Sequence, residues 1–336
     1  MEEFLSAATR KHALVTGGAG FIGSHLAELL LSTDRRVTIV DDESTGSVRN
    51  LEAAAKHPAF SFVSGDVTDA ALVRKLVAPV DEVYHLAASV GVQRIVDSPI
   101  ESIERNIAPV ELLLAALAEK QRAGERVKLF LASSSEVYGK NPKPKWTEED
   151  DIVLGPTKHV RWSYGASKAI DEFLALAYHR QHGLPVVVGR FFNVVGPRQT
   201  GRYGMVLPRF VDRALDGLPP IVHDTGAQVR CFAHVSDVCR MVVALMEEPR
   251  AEGEVFNIGS DVPVSMLELA SRVLAVVDPT LGVEFQSYRD AYSSDFQDVL
   301  RRVPDLTKLR LTVDVTPEYD LDATIRDVVQ WKRAER

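Results

Sequence analysis

The apolar positions fall into short runs separated by glycine turns and amphipathic stretches. HALVTGGAGFIGSHLAELLLSTDRRVTIVDD, starting at His12, reads as strand, glycine turn, amphipathic helix and strand within about thirty residues, the length of one βαβ unit. FSFVSGDV, EVYHLAAS, KLFLASSS and PVVVGRFFN are further short apolar runs, with helical periodicity in SIERNIAPVELLLAALAEK and YGASKAIDEFLALAYHRQHG. Strands alternating with helices predict an α/β fold with a doubly wound parallel sheet, spanning residues 1–190. Beyond residue 190 the chain is richer in Pro, Gly and Arg and less periodic, so residues 191–336 are expected to form a smaller cap that binds substrate. RCFAHVSDVCRMVVALMEEP and EVFNIGS again read as helix then strand, so part of 228–260 is expected to pack back onto the main sheet.

Composition narrows the class. The chain has 336 residues, 46% of them hydrophobic, enough for a large core, and its formal charge of −8 without a basic block argues against a nucleic-acid partner. No apolar run reaches the roughly 18 residues of a membrane span, and the first residues lack a signal-peptide layout, so cytoplasmic residence is the expectation. Cys231 and Cys239 lack metal-ligand spacing and are expected to be buried small hydrophobes; no metal site is expected.

Gly17, Gly20 and Gly23, with Phe21 and Ile22 between them, follow the first strand directly. Such glycines suit either a plain tight connection or a turn that brings backbone against a pyrophosphate at a helix N-terminus. The next strand ends in Asp41, 18 residues beyond Gly23. A carboxylate there accepts hydrogen bonds from ribose hydroxyls and repels a 2′-phosphate, which selects NAD over NADP. Asp42, Ser44, Thr45 and Gly46 would continue that wall, and Asp66 and Val67 would meet the adenine edge.

Tyr164 and Lys168 are one helical turn apart and face the same way. The lysine is expected to favour the tyrosine phenolate, although the spacing alone is also that of an ordinary helix. Ser134 ends an apolar strand, and strand ends converge on the ligand crevice of a doubly wound fold, so it can share a substrate hydroxyl with Tyr164.

TGGAGFIG, HLAAS, SSSEVYG, YxxxK and FFNVVGPR together resemble the extended short-chain dehydrogenase/reductase superfamily, in its NAD-dependent nucleotide-sugar epimerase, dehydratase and decarboxylase branch. The resemblance implies a tightly held NAD that oxidises a sugar hydroxyl, usually at C4, and takes part in the return step. It implies Tyr164 as base, Lys168 on the nicotinamide ribose and Ser134 orienting the sugar. Leu86, Ala87, Ala88, Asn106 and Ser133 would line the cofactor; Asn193, Val206, Arg230 and Arg302 would hold the nucleotide diphosphate, and Val90, Ser135 and Glu136 would meet the sugar. It also implies a homodimer through the helices at about 104 to 121 and 164 to 181, with burial inside the monomer as the alternative.

The 4-keto intermediate permits C4 epimerisation, loss of carbon dioxide from a C5 carboxylate, or loss of water. Ser-Ser-Glu at 134–136 resembles the Thr-Ser-Glu of UDP-glucuronate decarboxylases, and GPTKHVRWSYGASK resembles the oxidative decarboxylase and UDP-apiose synthase groups. HLAASVGVQRIVDSP instead resembles the epimerase and dehydratase loop, where Val90 to Arg94 would lie near the hexose. The first choice is an NAD-dependent C4-epimerase of a UDP-hexose or UDP-hexuronate, with UDP-glucuronate decarboxylation next and dehydration third. Intact Ser134, Tyr164 and Lys168 argue against a non-catalytic nucleotide sensor. Glu136 is either an acid or base for chemistry beyond C4 or a structural carboxylate.

Overall fold

A computed structural model describes residues 10–89, 98–201, 205–287 and 299–336. Its centre is a parallel sheet built from β1 (His12–Thr16), β2 (Arg36–Asp41), β3 (Phe60–Ser64), β4 (Glu82–His85), β5 (Lys128–Ser134) and β6 (Val186–Phe191), joined late in the chain by Glu254–Ile258. With that last strand first, the order is followed by β6, β5, β4, β1, β2 and β3, all in parallel register. Strand order reverses between β1 and β4, where a doubly wound sheet leaves its ligand crevice.

Helices cover both faces, and the two-residue period of the strands feeds two separate cores. Val37, Ile39, Phe130 and Val187 point toward α1 (Phe21–Ser32), where Leu26 and Leu30 are fully buried. Leu129, Leu131, Val186 and Val188 point the other way, toward α2 (Ala70–Val77), α3 (Pro99–Arg122) and α4 (Ser163–His182). Strands sandwiched this way need apolar residues at successive positions, which explains runs such as VKLFLA and PVVV. Truncating a side chain in either core, for example Leu114→Ala, costs about 2–5 kcal/mol.

After β6 the chain forms β7 (Val194–Val195), α5 (Val206–Leu215), β8 (Ile221–His223), β9 (Val229–Cys231) and β10 (Ala233–His234). Helix α6 (Val235–Glu247) then returns to pack on α1, and β11 (Glu254–Ile258) extends the main sheet beside β6. The remaining elements are β12 (Pro263–Ser265), α7 (Met266–Val277), β13 (Glu284–Gln286), α8 (Thr307–Thr312) and α9 (Leu321–Ala334). Helices α5, α7 and α9 share a core of their own around Leu207, Val211, Leu269 and Ile325. This cap stands beside the carboxyl ends of the sheet strands. Cys231 and Cys239 are buried, and burial pushes both thiols up, Cys231 to about 12.

Candidate active site

One cavity of about 630 Å³ runs from the β1 turn past the ends of β2, β4 and β5 to the cap. At one end the β1–α1 turn is as tight as a backbone allows. Gly17 has φ +68, and a Cβ on it would lie 2.7 Å from the Ala87 amide nitrogen. A Cβ on Gly23 would lie 2.4 Å from the Gly17 carbonyl oxygen, so α1 can start this close to β1 only with glycine there. Gly20 caps α1 with no side-chain cap, leaving the helix N-terminus to an anion.

Asp41 carries the adjacent wall. Its carboxylate accepts from the Ala19 amide at 2.9 Å and the Glu43 amide at 2.8 Å, while burial pushes its pKa up. The carboxylate thus ties the glycine turn to the end of β2 and still lines the cavity. Asp42, Ser44, Thr45, Gly46, Asp66, Val67, Leu86, Ala87 and Ala88 line the same half, as do Phe21 and Ile22. Arg105 of α3, which no sequence motif singles out, reaches across to donate to Asp42 at 2.7 Å. A glycine cradle at a helix N-terminus beside a buried strand-end carboxylate fits a dinucleotide without a 2′-phosphate.

At the deep end β5 stops because its hydroxyls begin a new turn. The Ser134 hydroxyl accepts from the Glu136 amide at 3.2 Å, opening the one-turn segment Ser135–Tyr138, which Gly139 ends at φ +58. Helix α4 rests on that turn through Gly165, where a Cβ would lie 2.5 Å from the Glu136 carbonyl oxygen. This contact brings Tyr164 close enough to Ser134 for the serine hydroxyl to favour the phenolate. Ser133 instead donates to Glu172, which also holds Arg190.

Glu136 is clamped by two arginines. Arg302 donates to one carboxylate oxygen at 2.6 Å and Arg161 to the other at 2.9 Å; Arg302 also donates to Ser135 at 3.3 Å. Burial alone would raise the Glu136 pKa, but Arg302 and Arg161 outweigh it and hold the carboxyl at about 2. Arg161 stacks on Trp162 with its guanidinium carbon 4.8 Å from the ring centroid. It lies in the short 3-10 turn Val160–Trp162 that leads straight into α4, and its place three residues before Tyr164 was the signal that could have singled it out.

The Tyr164 phenol is pushed up from its ordinary value, against the expected tuning toward the phenolate. Burial and the Glu136 charge push the phenol up, against the lowering by Ser134 and Arg302. The Lys168 ammonium is 3.0 Å from Asp171, with both side chains buried, so its charge is largely met by that carboxylate.

Three expected contacts lie off the cavity wall. Asn106 is buried behind it, accepting from the Ser89 amide at 2.8 Å, and so braces a lining residue. Val206 opens α5 and packs on the cap core. Arg230 on β9 is buried and donates to the Val229 carbonyl at 2.9 Å, a position fixed by the β9–β12 pairing. Asn193 does line the cavity, held at φ +35 with its amide donating to the Cys231 carbonyl. Val90 lies outside the described residues, as does the rest of the segment 90–97. Arg198, Gln199 and Trp331 line the cavity without having been expected there.

A parallel sheet with a glycine cradle at its switch point, and a tyrosine, a lysine and a serine at the deep end of the same groove, defines a dinucleotide-dependent enzyme of Rossmann type. Residues 13–259 match the model of the NAD dependent epimerase/dehydratase family, and the chain belongs to that family. It is 37% identical over 325 residues to UDP-N-acetyl-alpha-D-glucosaminuronate decarboxylase of Bacillus cytotoxicus, covering 96% of this chain and 98% of that protein. It is likewise 37% identical over 332 residues to a dTDP-glucose 4,6-dehydratase of an Actinoplanes species, covering 96% and 98%. Among solved structures it is similar to the UDP-glucuronic acid 4-epimerase of Bacillus cereus in complex with UDP-glucuronic acid and NAD. That likeness has a TM-score of 0.85 and 26% identity over 97% of this chain and 100% of the other. The protein is therefore an NAD-dependent enzyme of the nucleotide-sugar epimerase, dehydratase and decarboxylase group.

Among the described residues no helix is long and apolar enough to cross a membrane, and no cluster of His, Cys, Asp and Glu could hold a metal.

Proposed function

We propose that the protein decarboxylates a nucleoside-diphosphate hexuronate, a UDP-hexuronate by analogy with its relatives, through a 4-keto intermediate. The observation that carries this reading is the convergence of Arg161 and Arg302 on a carboxylate, Glu136, in the same cavity as Tyr164 and Ser134. Planar guanidiniums are suited to carboxylate recognition, and the C6 carboxylate of a hexuronate is the substrate group of matching chemistry.

Glu136 also bears on the choice among outcomes. A carboxylate held at about 2 is a weak base, poorly suited to removing a C5 proton as dehydration requires. Decarboxylation needs no such base. NAD, held by the glycine cradle and Asp41, supplies the hydride acceptor for C4. Tyr164, with Ser134 sharing the C4 hydroxyl, takes the hydroxyl proton, and the ketone at C4 makes the C6 carboxylate part of a β-keto acid. The C5–C6 bond then breaks, carbon dioxide leaves, and the electron pair moves onto C5 and the C4 oxygen, where the Tyr164 phenol donates a hydrogen bond; a proton from water at C5 gives the 4-keto pentose, and return of the hydride to C4 with the Tyr164 proton to its oxygen gives the nucleotide pentose. Arg161 and Arg302 orient the departing carboxylate, and Glu136 fixes both guanidiniums.

C4 epimerisation of the hexuronate is the second reading, favoured by the likeness to the 4-epimerase and by the HLAASVGVQRIVDSP segment. Incubation with UDP-glucuronate, UDP-N-acetylglucosaminuronate and UDP-glucose, followed by mass analysis, tests both. Loss of carbon dioxide from a hexuronate is the expected result. An isomer of unchanged mass would replace this reading with the second, and loss of water would overturn both.

The assembly belongs to the same proposal. Ile100 and Ile103 on α3 and Ile170 and Phe173 on α4 are exposed, Phe173 by 65%, although the two helices pack side by side. Pairing these faces with their copies forms a four-helix homodimer interface.

A further inference from the structure

Asp171 is a buried charge with no direct part in the proposed reaction. It is 0% exposed, lies one turn beyond Lys168 on α4, and accepts from the Lys168 ammonium at 3.0 Å. Its second oxygen, Oδ1, is buried with no hydrogen-bond partner among the described residues. Burying a carboxylate with half its acceptor capacity unused is costly, and burial pushes its pKa up despite the lysine. Stability would be served better by an apolar residue at this position.

We propose that Asp171 is a positioning residue that holds the Lys168 ammonium in place and withholds its charge from Tyr164, so that the tyrosine rests as a phenol. The adjacent groups support this assignment. On α4 the neighbours are Tyr164, Lys168 and Glu172, and Glu172 is already engaged by Arg190 and Ser133. Glu111 faces Asp171 from α3, and His85 of β4 feels the Lys168 charge. From the turn after β5, Glu136 opposes the phenolate, and Arg302 on the far side favours it. Lys168 is thus the cation nearest the Asp171 carboxylate, and Asp171 is its ion-pair partner.

The consequence is a base whose strength depends on what else occupies the cavity. With the lysine charge met by Asp171, the phenolate has to wait for the positive oxidised nicotinamide ring. When that ring is reduced and neutral, Tyr164 reverts to a phenol, the form needed to donate a proton or hydrogen bond to the sugar oxygen. This inference rests on the reading of Tyr164 as the base at C4.

The test reads the protonation of Tyr164 itself. The full chain is made with 3,5-difluorotyrosine, the Tyr164 fluorine signal is assigned by its loss in Tyr164→Phe, and its midpoint is followed with pH. Asp171→Asn should lower the midpoint by about one pH unit, the effect of a unit charge roughly 10 Å away along a helix at an effective dielectric near 20. The acidic limb of the pH profile for C4 oxidation should move the same way, and Asp171→Glu should restore both. Lys168→Gln should raise the midpoint, and Lys168→Gln combined with Asp171→Asn should return it to within about half a unit of the parent. If Asp171→Asn does not fold, the parent, Lys168→Gln and the double variant carry the test, since the double variant buries no charge at this pair. An unmoved midpoint in Asp171→Asn, or a double variant displaced from the parent by a full unit, overturns the proposal. Retained turnover in Tyr164→Phe would instead remove the reading on which it rests.

Discussion

Replacing Glu136 with glutamine tests the arginine clamp quantitatively. Its carboxylate is only 18% exposed and bonds to Arg302 at 2.6 Å and Arg161 at 2.9 Å. The fall of its pKa from 4.5 to about 2 means that the folded protein prefers the charged form by about 3 kcal/mol. Because the folded pKa is the lower one, this stabilisation is fully present above the ordinary 4.5 and is lost as pH falls toward about 2. It amounts to about 3 kcal/mol at pH 7 and about 1 kcal/mol at pH 3. The glutamine side chain keeps the shape but not the charge, and it leaves two guanidiniums facing an amide. The Glu136→Gln variant should therefore be less stable than the parent by about 3–5 kcal/mol at pH 7, with the deficit shrinking by about 2 kcal/mol at pH 3. Urea unfolding of both proteins at matched concentration across that range measures the difference. A deficit that does not change with pH would refute the reasoning, since the clamp would then stabilise through packing and not through charge.

Tyr164→Phe should abolish turnover while leaving NAD binding intact, checked by mass analysis of products and by bound-cofactor absorbance. Asp41→Ala removes the carboxylate that faces the cavity beside the glycine turn, so the preference for NAD over NADP should fall by at least tenfold in direct binding. Phe173→Asp places a charge on an exposed apolar face and should convert a dimer to a monomer by light scattering, with the fold unchanged by circular dichroism.

The sheet was legible because a strand buried on both faces must be apolar at successive positions, and because the glycine turn admits few backbones. The same logic placed β11 back on the sheet after the chain had entered the cap. The helices expected at about 104 to 121 and 164 to 181 are Pro99–Arg122 and Ser163–His182. What escaped was partnership between side chains distant in sequence. Nothing in the linear order of Glu136, Arg161 and Arg302 states that one carboxylate meets two guanidiniums. Arg302 is expected at the diphosphate from the family resemblance, and a guanidinium suits phosphate as well as the Glu136 carboxylate it meets here. Asn106 and Arg230 were expected at the ligand; in the fold Asn106 accepts from the Ser89 amide and Arg230 donates to the Val229 carbonyl, contacts that sequence order does not reveal. Asp171 is the opposite case, visible one turn beyond Lys168 yet unremarkable until its burial was known.

The central claim is that a hexuronate carboxylate leaves as carbon dioxide. A UDP-glucuronate and a UDP-N-acetylglucosaminuronate labelled with carbon-13 at C6, each incubated with the NAD-loaded enzyme, test it most directly. Labelled carbon dioxide released in step with nucleotide-pentose formation from either substrate is the predicted result. Label retained at C6 of a product epimerised at C4 would contradict it.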